Sequence, residues 1–102
     1  MNLIRTNLGD DGIRQILKNS QFKIAKLGLD DNNISNEGLE LIAKCPFLQS
    51  LTDLRLGFNS IGDMGVGYLA DSTFIQKLRV LGLNDNVISD QAVTELVQSR
   101  NF

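Results

Sequence analysis

The side chains best suited to chemistry are few in this chain. There is no histidine and a single cysteine, Cys45, so the commonest general base and metal ligand is missing. Nucleophilic catalysis by a serine, a threonine or Cys45 would have to recruit a lysine or a carboxylate as its base. Cys45 falls at the end of a helical pattern, where Ser72 and Ser99 hold the matching places further on. A small, half-buried side chain accounts for it better than an activated thiol. Two acidic stretches, Asp30-Asp31-Asn32-Asn33 and Asn84-Asp85-Asn86, could suggest a cation site. A calcium loop needs oxygen ligands at alternate positions, a central glycine and a distal glutamate, and neither stretch has them. Gly62-Asp63-Met64-Gly65-Val66-Gly67 lacks the Lys-Ser/Thr ending of a phosphate loop. No catalytic residue, metal or cofactor is expected.

Composition narrows the classes further. The 102 residues are 42% apolar and 22% charged, with 10 Lys+Arg against 12 Asp+Glu and a net charge of -2. That is enough for one domain with its own core. The near-neutral balance, without runs of like charge, argues against nucleic acid or an anionic membrane as partner. One cysteine cannot form an internal disulfide, and residues 1–5 lack the basic-then-apolar layout of a signal peptide. A cytoplasmic location is expected. The sequon Asn33-Ile34-Ser35 would matter only in a secreted protein.

The elements that position these residues come from an internal repeat. Leu27-Gly28-Leu29-Asp30-Asp31-Asn32-Asn33-Ile34-Ser35 aligns with Leu54-Arg55-Leu56-Gly57-Phe58-Asn59-Ser60-Ile61-Gly62 and with Leu81-Gly82-Leu83-Asn84-Asp85-Asn86-Val87-Ile88-Ser89. Ile24, Leu51 and Leu78 stand three places upstream of each. A degenerate first copy has Met1 and Leu3 at the paired-leucine places, Thr6 in the asparagine slot and Leu8 matching the isoleucines. The anchors Leu3, Leu29, Leu56 and Leu83 are 26, 27 and 27 residues apart. Four units, approximately 1–23, 24–50, 51–77 and 78–102, fill a single domain spanning residues 1–102.

Within each unit the period changes. Leu-x-Leu alternates as a short strand does. Downstream, Ile13/Ile16/Leu17, Leu39/Ile42/Ala43, Val66/Leu69/Ala70 and Val93/Leu96/Val97 form the i, i+3, i+4 stripe of a short helix. Ser35 and Ser89 are candidate N-caps, with Gly9 and Gly62 in the same slot. Asp10, Asn36, Asp63 and Asp90 follow, suited to the positive end of the helix dipole. Gly12, Gly38, Gly65 and Ala92 share a place where the helix backbone is expected to lie tight against its strand. Lys44-Cys45-Pro46 should stop the second helix.

These residues resemble the leucine-rich repeat family over essentially the whole chain. The signature Leu-x-x-Leu-x-Leu-x-x-Asn-x-Ile runs from Leu51 to Ile61 and from Leu78 to Ile88, and from Ile24 to Ile34 with isoleucine first. The helical half resembles the ribonuclease-inhibitor type, while Glu37-Gly38-Leu39 through Leu41-Ile42-Ala43-Lys44-Cys45-Pro46 is similar to the cysteine-containing type of F-box substrate receptors. Both subclasses stay open. The resemblance implies an α/β fold: a right-handed solenoid of about four strand-helix repeats, with a concave parallel sheet, convex helices and another protein bound on the concave face. Asn32, Asn59 and Asn86 are expected to be structural, stacking to satisfy loop backbone groups.

On that face the outward residues of successive units should form rows: Lys26, Asp53, Val80; Asn2, Gly28, Arg55, Gly82; Ile4, Asp30, Gly57, Asn84; and Arg5, Asp31, Phe58, Asp85. Phe58 is the apolar exception in a charged row, and Arg55 lies between two glycines. Aromatic residues and arginine are enriched among binding hot spots. The expected recognition patch is therefore Phe58 and Arg55, flanked by Asp30, Asp31, Asp53 and Asp85, with Asn84 and Arg5 in the same rows. Such a surface suits an apolar projection ringed by basic residues.

The chain starts within a strand pattern and stops at Arg100-Asn101-Phe102 without a polar capping unit. Open repeat edges imply end-to-end association, docking on a partner subunit, or excision from a longer protein. The leading reading is a non-catalytic interaction module in the cytoplasm. The others are a repeat fragment of a larger receptor or regulator, such as an F-box-type substrate receptor, and a structural subunit that forms a homo-oligomer through its ends.

Overall fold

The computed structural model describes residues 1–19, 23–73 and 75–100, with side chains omitted at 19 and 100. The expected chain end at Asn101 and Phe102 lies outside them. Among the described residues, helices and short strands alternate: α1 (Gly9–Asn19), β1 (Lys26–Gly28), α2 (Asn36–Ala43), β2 (Asp53–Arg55), α3 (Asp63–Asp71), β3 (Val80–Gly82) and α4 (Asp90–Arg100). The strands form a parallel sheet in the order β1-β2-β3, and Asn2 extends it through a bridge to Gly28. The helices pack in chain order, α1 on α2, α2 on α3 and α3 on α4. This is an α/β repeat fold.

Each element follows from its residues. The Leu-x-Leu pairs turn both leucines inward: Leu27, Leu29, Leu54 and Leu56 are buried, and Ile34, Ile61, Leu39, Ile42 and Leu69 join them with no accessible surface. Burying such side chains gives roughly 1.5–3 kcal/mol each, and each is buried largely by the neighbouring unit. Ser35 caps α2, its hydroxyl accepting the Glu37 N–H at 3.3 Å, whereas Gly62 caps α3 without a side chain. Helix α2 ends at Ala43, and Pro46 then opens a 3₁₀ turn, Pro46–Leu48, that sends Leu48 into the core. Cys45 is buried at this corner and unpaired.

Two expectations need correcting. The last helical stripe is not fully buried, because Leu96 is covered while Val93 and Val97 stand 44% and 42% exposed. Among the described residues, none packs over that side of α4. The shared small position is tight for another reason than contact with its strand. A Cβ at Gly38 would run into the Asp10 carboxylate of the preceding unit and come within 2.6 Å of Ile34 Cγ2. Gly65 likewise faces Asn36 Oδ1 and Ile61. Gly38→Ala is expected to destabilise by about 1–3 kcal/mol through overpacking. A Cβ at Gly67 would meet nothing within 4 Å, so Gly67→Ala in exposed helix should stabilise by about 0.5–1 kcal/mol. Urea titration of the two variants reads both signs.

Polar side chains join the units along two lines. On the first, the asparagine of one unit serves the loop of the unit before it. Asn32 Oδ1 accepts the N–H groups of Thr6 and Leu8, both at 3.1 Å, and its Nδ2 donates to the Leu3 carbonyl at 2.7 Å. Asn59 and Asn86 repeat the arrangement one and two units on. Thr6 compensates within its own unit, its hydroxyl donating to the Leu3 carbonyl at 2.8 Å.

The second line runs forward from the helix starts. Asp10 accepts the N–H of Ser35 at 2.9 Å and also its hydroxyl. Asn36 Oδ1 accepts the N–H groups of Gly62 at 2.7 Å and Gly65 at 3.0 Å. Asp63 accepts the Ser89 N–H at 2.8 Å and hydroxyl at 2.7 Å. These side chains do more than meet a helix dipole, since each grips the next unit. Those bonds from Ser89 hold the Asp63 carboxyl below its ordinary 3.8. A depressed folded value gives stability that is present in full above the ordinary value and lost as pH falls through the folded one. The melting-temperature gap between wild type and Asp63→Ala should therefore be constant at neutral pH and close below about pH 4. A gap unchanged down to about pH 2 would contradict this.

Candidate functional site: the outward face of the sheet

The sheet register builds this face row by row. Lys26 pairs with Asp53 and Asp53 with Val80; Gly28 pairs with Arg55 and Arg55 with Gly82. Beyond the strands the ladder continues through Arg5 N–H to Asp30 O at 3.1 Å, Asp31 N–H to Gly57 O at 2.9 Å and Phe58 N–H to Asn84 O at 2.9 Å. The outermost row therefore holds Arg5, Asp31, Phe58 and Asp85 at one structural position.

That position carries a backbone constraint which spacing does not reveal. Arg5, Asp31, Phe58 and Asp85 have φ of 57°, 56°, 55° and 58°. The left-handed region costs an L-residue roughly 1–2 kcal/mol, is best tolerated by glycine, asparagine and aspartate, and is an outlier for a bulky side chain. Aspartate at 31 and 85 suits it. Phe58 does not, and the residue is 59% exposed, so burial does little to offset the strain.

The charged candidates divide by what already holds them. Arg5 Nε lies 3.2 Å from Asp31 Oδ2, an exposed pair. Asp30 Oδ1 accepts the Gly57 N–H at 2.7 Å, which ties it to the next unit. Asp53 Oδ1 accepts the Thr52 hydroxyl at 2.9 Å, and Asp85 Oδ2 accepts Asn84 Nδ2 at 3.1 Å. Asn84 itself lies over Gly57, where a Cβ would come within 2.6 Å of its Oδ1. Arg55 is exposed and makes no ion pair among the described residues. Its aliphatic stem runs beside Gly82, whose added Cβ would meet Arg55 Cβ and Cγ at 3.8 Å.

Beside Arg55 the face dips into an open groove of about 510 Å³, walled by Met1, Ile4, Lys26, Gly28, Asp53 and Arg55. Lys26 was not among the candidates, and its place in the Asp53 row is the signal for it. Met1 and Ile4 add apolar walls that are 53% and 42% exposed. The two forward-gripping aspartates and Asn36 were also missed. Their signal is the pairing Asp10 with Ser35, Asn36 with Gly62 and Asp63 with Ser89, each 25 or 26 residues apart. Among the described residues no group of histidine, cysteine or carboxylate side chains could hold a metal ion, and no helix is long and apolar enough to cross a membrane.

A parallel sheet with helices behind it, joined by repeating asparagines, defines an α/β repeat protein. Residues 23–43 and 47–70, which carry β1 with α2 and β2 with most of α3, match the family model described as Leucine Rich repeat. Those matches support a leucine-rich repeat family for this chain. No curated protein matches the sequence. Leucine-rich repeats commonly mediate protein–protein interaction and are generally non-catalytic.

Proposed function

We propose that this chain is a non-catalytic protein-interaction module: a right-handed solenoid of four units, 1–23, 24–50, 51–77 and 78–102, that binds a partner protein on its concave sheet face. Phe58 carries the reading. A bulky ring kept exposed in a left-handed backbone position costs stability, and strain of that kind is retained where function requires it. Arg55 is the second anchor, open for a carboxylate on the partner, while Lys26, Asp53, Asp85 and Asn84 form the polar surround. Asp30, Asp31 and Arg5 contribute less, since Arg5 and Asp31 neutralise each other as an ion pair and Asp30 is tied to the backbone of the next unit. The buried free thiol of Cys45 suits a reducing, cytoplasmic compartment.

Affinity capture on immobilised chain tests this, with Met64→Ala on exposed α3 surface as control. A partner should be retained equally by wild type and Met64→Ala, and at least about ten-fold less by Phe58→Asn and by Arg55→Glu. If both face variants retain every protein that wild type retains, the concave reading fails.

A further inference from the structure

The three helix junctions differ in what crosses them. Between α1 and α2 the Arg14 guanidinium reaches Glu37 at 2.6 Å, and between α2 and α3 the Lys44 ammonium lies 5.5 Å from the centre of the Tyr68 ring. Each time a cation of the earlier helix meets a carboxylate or an aromatic face on the next. Between α3 and α4 the corresponding places hold other residues. Gly67 stands where α1 has Arg14, Asp71 where α2 has Lys44, and Glu95 where α3 has Tyr68. No cation among the described residues pairs with Asp71 or Glu95. Where Gly67 lacks a side chain, a groove of about 250 Å³ opens between the two helices.

The lining says what chemistry fits. Gly67, Ala70 and Ala92 supply apolar surface, and the charged groups, Asp63 and Glu95, are both carboxylates. Both Asp63 oxygens are committed to Ser89. Glu95 Oε1 accepts Gln91 Nε2 at 3.2 Å, and its Oε2 has no partner among the described residues. The volume falls below the roughly 300–1,000 Å³ of a small-molecule site, which leaves room for one long side chain. We propose that this groove docks a lysine or arginine side chain of a partner protein, its stem along Gly67, Ala70 and Ala92 and its cation on Glu95. Such side chains bury their methylenes on apolar surface and keep the charge at the rim. The partner thus completes at this junction the contact that Arg14 and Lys44 make within the chain. Repeat units touch only their neighbours. Val93 and Val97 line a separate groove with Leu81 and Leu83, so a unit stacked on that side of α4 would leave this one open. The site is independent of the sheet face and of the reading of Phe58 and Arg55.

The probe is an acetylated, amidated pentapeptide with one arginine between alanines, set against the same peptide with citrulline, which has the arginine shape without its charge. Each is titrated at fixed ionic strength to about 50 mM, a range that reaches the weak affinity of a single side chain. Backbone amide shifts of Gly67, Ala92 and Glu95 are followed by NMR. The arginine peptide should move all three saturably, with an affinity at least about ten-fold above that of the citrulline peptide. Gly67→Arg, which returns to α3 the cation that α1 carries, and Glu95→Gln, which removes the charge, should each weaken binding at least about ten-fold. Both changes lie on exposed helix surface and leave the core intact. Shifts at the three amides no larger than at Lys18 on α1, equal shifts with the two peptides, or binding undiminished in either variant would overturn the proposal.

Discussion

Replacing Asn59 with alanine is expected to lower the stability of this protein by about 3 kcal/mol. The side chain joins the loop of its own unit to that of the preceding one. Its Oδ1 accepts the N–H groups of Asn32 at 3.0 Å and Ile34 at 2.9 Å, in the preceding unit. Its Nδ2 donates to the carbonyls of Leu29, Leu56 and Gly57 at 3.0–3.1 Å. The Leu56 and Gly57 carbonyls would keep Asn86 Nδ2 and the Asp31 N–H, but alanine would leave the Asn32 and Ile34 N–H groups and the Leu29 carbonyl without these partners, where Leu29 and Ile34 have no accessible surface, and each unsatisfied group costs about 1–3 kcal/mol. Water can reach part of the half-buried site, which keeps the total near the lower end of the sum. A domain of this size loses about 4–8 °C of melting temperature per kcal/mol, so a drop of roughly 12–24 °C is expected. Asn59→Asp, which keeps the acceptor and loses the donors, should fall between alanine and wild type. A loss under about 1 kcal/mol for the alanine variant would mean that apolar stacking alone couples the units.

Phe58→Asn moves stability and binding in opposite directions. Asparagine tolerates the left-handed conformation that phenylalanine occupies at φ 55°, so relief of strain should raise stability by about 1 kcal/mol, less what the covered part of the ring contributes. The same change removes the one large ring from the outer row of the sheet face. Loss of a hot-spot aromatic costs about 2 kcal/mol or more in binding, a roughly 30-fold or larger rise in Kd. Thermal melts and titration against the captured partner give the two readouts. An asparagine variant less stable than wild type would show that the ring holds the loop in place and is not kept for recognition.

How far the sequence foretells this architecture depends on which interactions are local. The leucine pairs and the i, i+3, i+4 stripes write the alternation of strand and helix directly, because each period reports which side of an element is buried. Pro46 and Ser35 mark a helix stop and a helix start by local chemistry. The exposure of Val93 and Val97 is different: the residues match those of the inner units, and their burial depends on contacts outside their own unit, which local spacing does not report. The constraint at Arg5, Asp31, Phe58 and Asp85 was hidden because two of its four occupants are types that favour other backbone geometry. The second role of Asp10, Asn36 and Asp63 was masked by the first, since an acidic or amide residue at a helix start already has an adequate local explanation. On the sheet face, register follows from spacing, but whether a carboxylate is free depends on contacts one unit away, such as Asp30 with the Gly57 N–H.

The forward grips also limit how a gene for such a protein can be rearranged. Units of equal length look interchangeable, and in-frame duplication or loss of 27 codons would leave the leucine pattern intact. The junctions are not interchangeable. Loss of residues 51–77 would set Asn36 against Ser89, placing an amide N–H₂ donor where Asp63 has the second carboxylate oxygen that accepts the serine hydroxyl. Recombination that moves a unit together with the cap it grips keeps the match. The heritable module is thus offset from the visible repeat: it starts at one helix and ends at the first turn of the next.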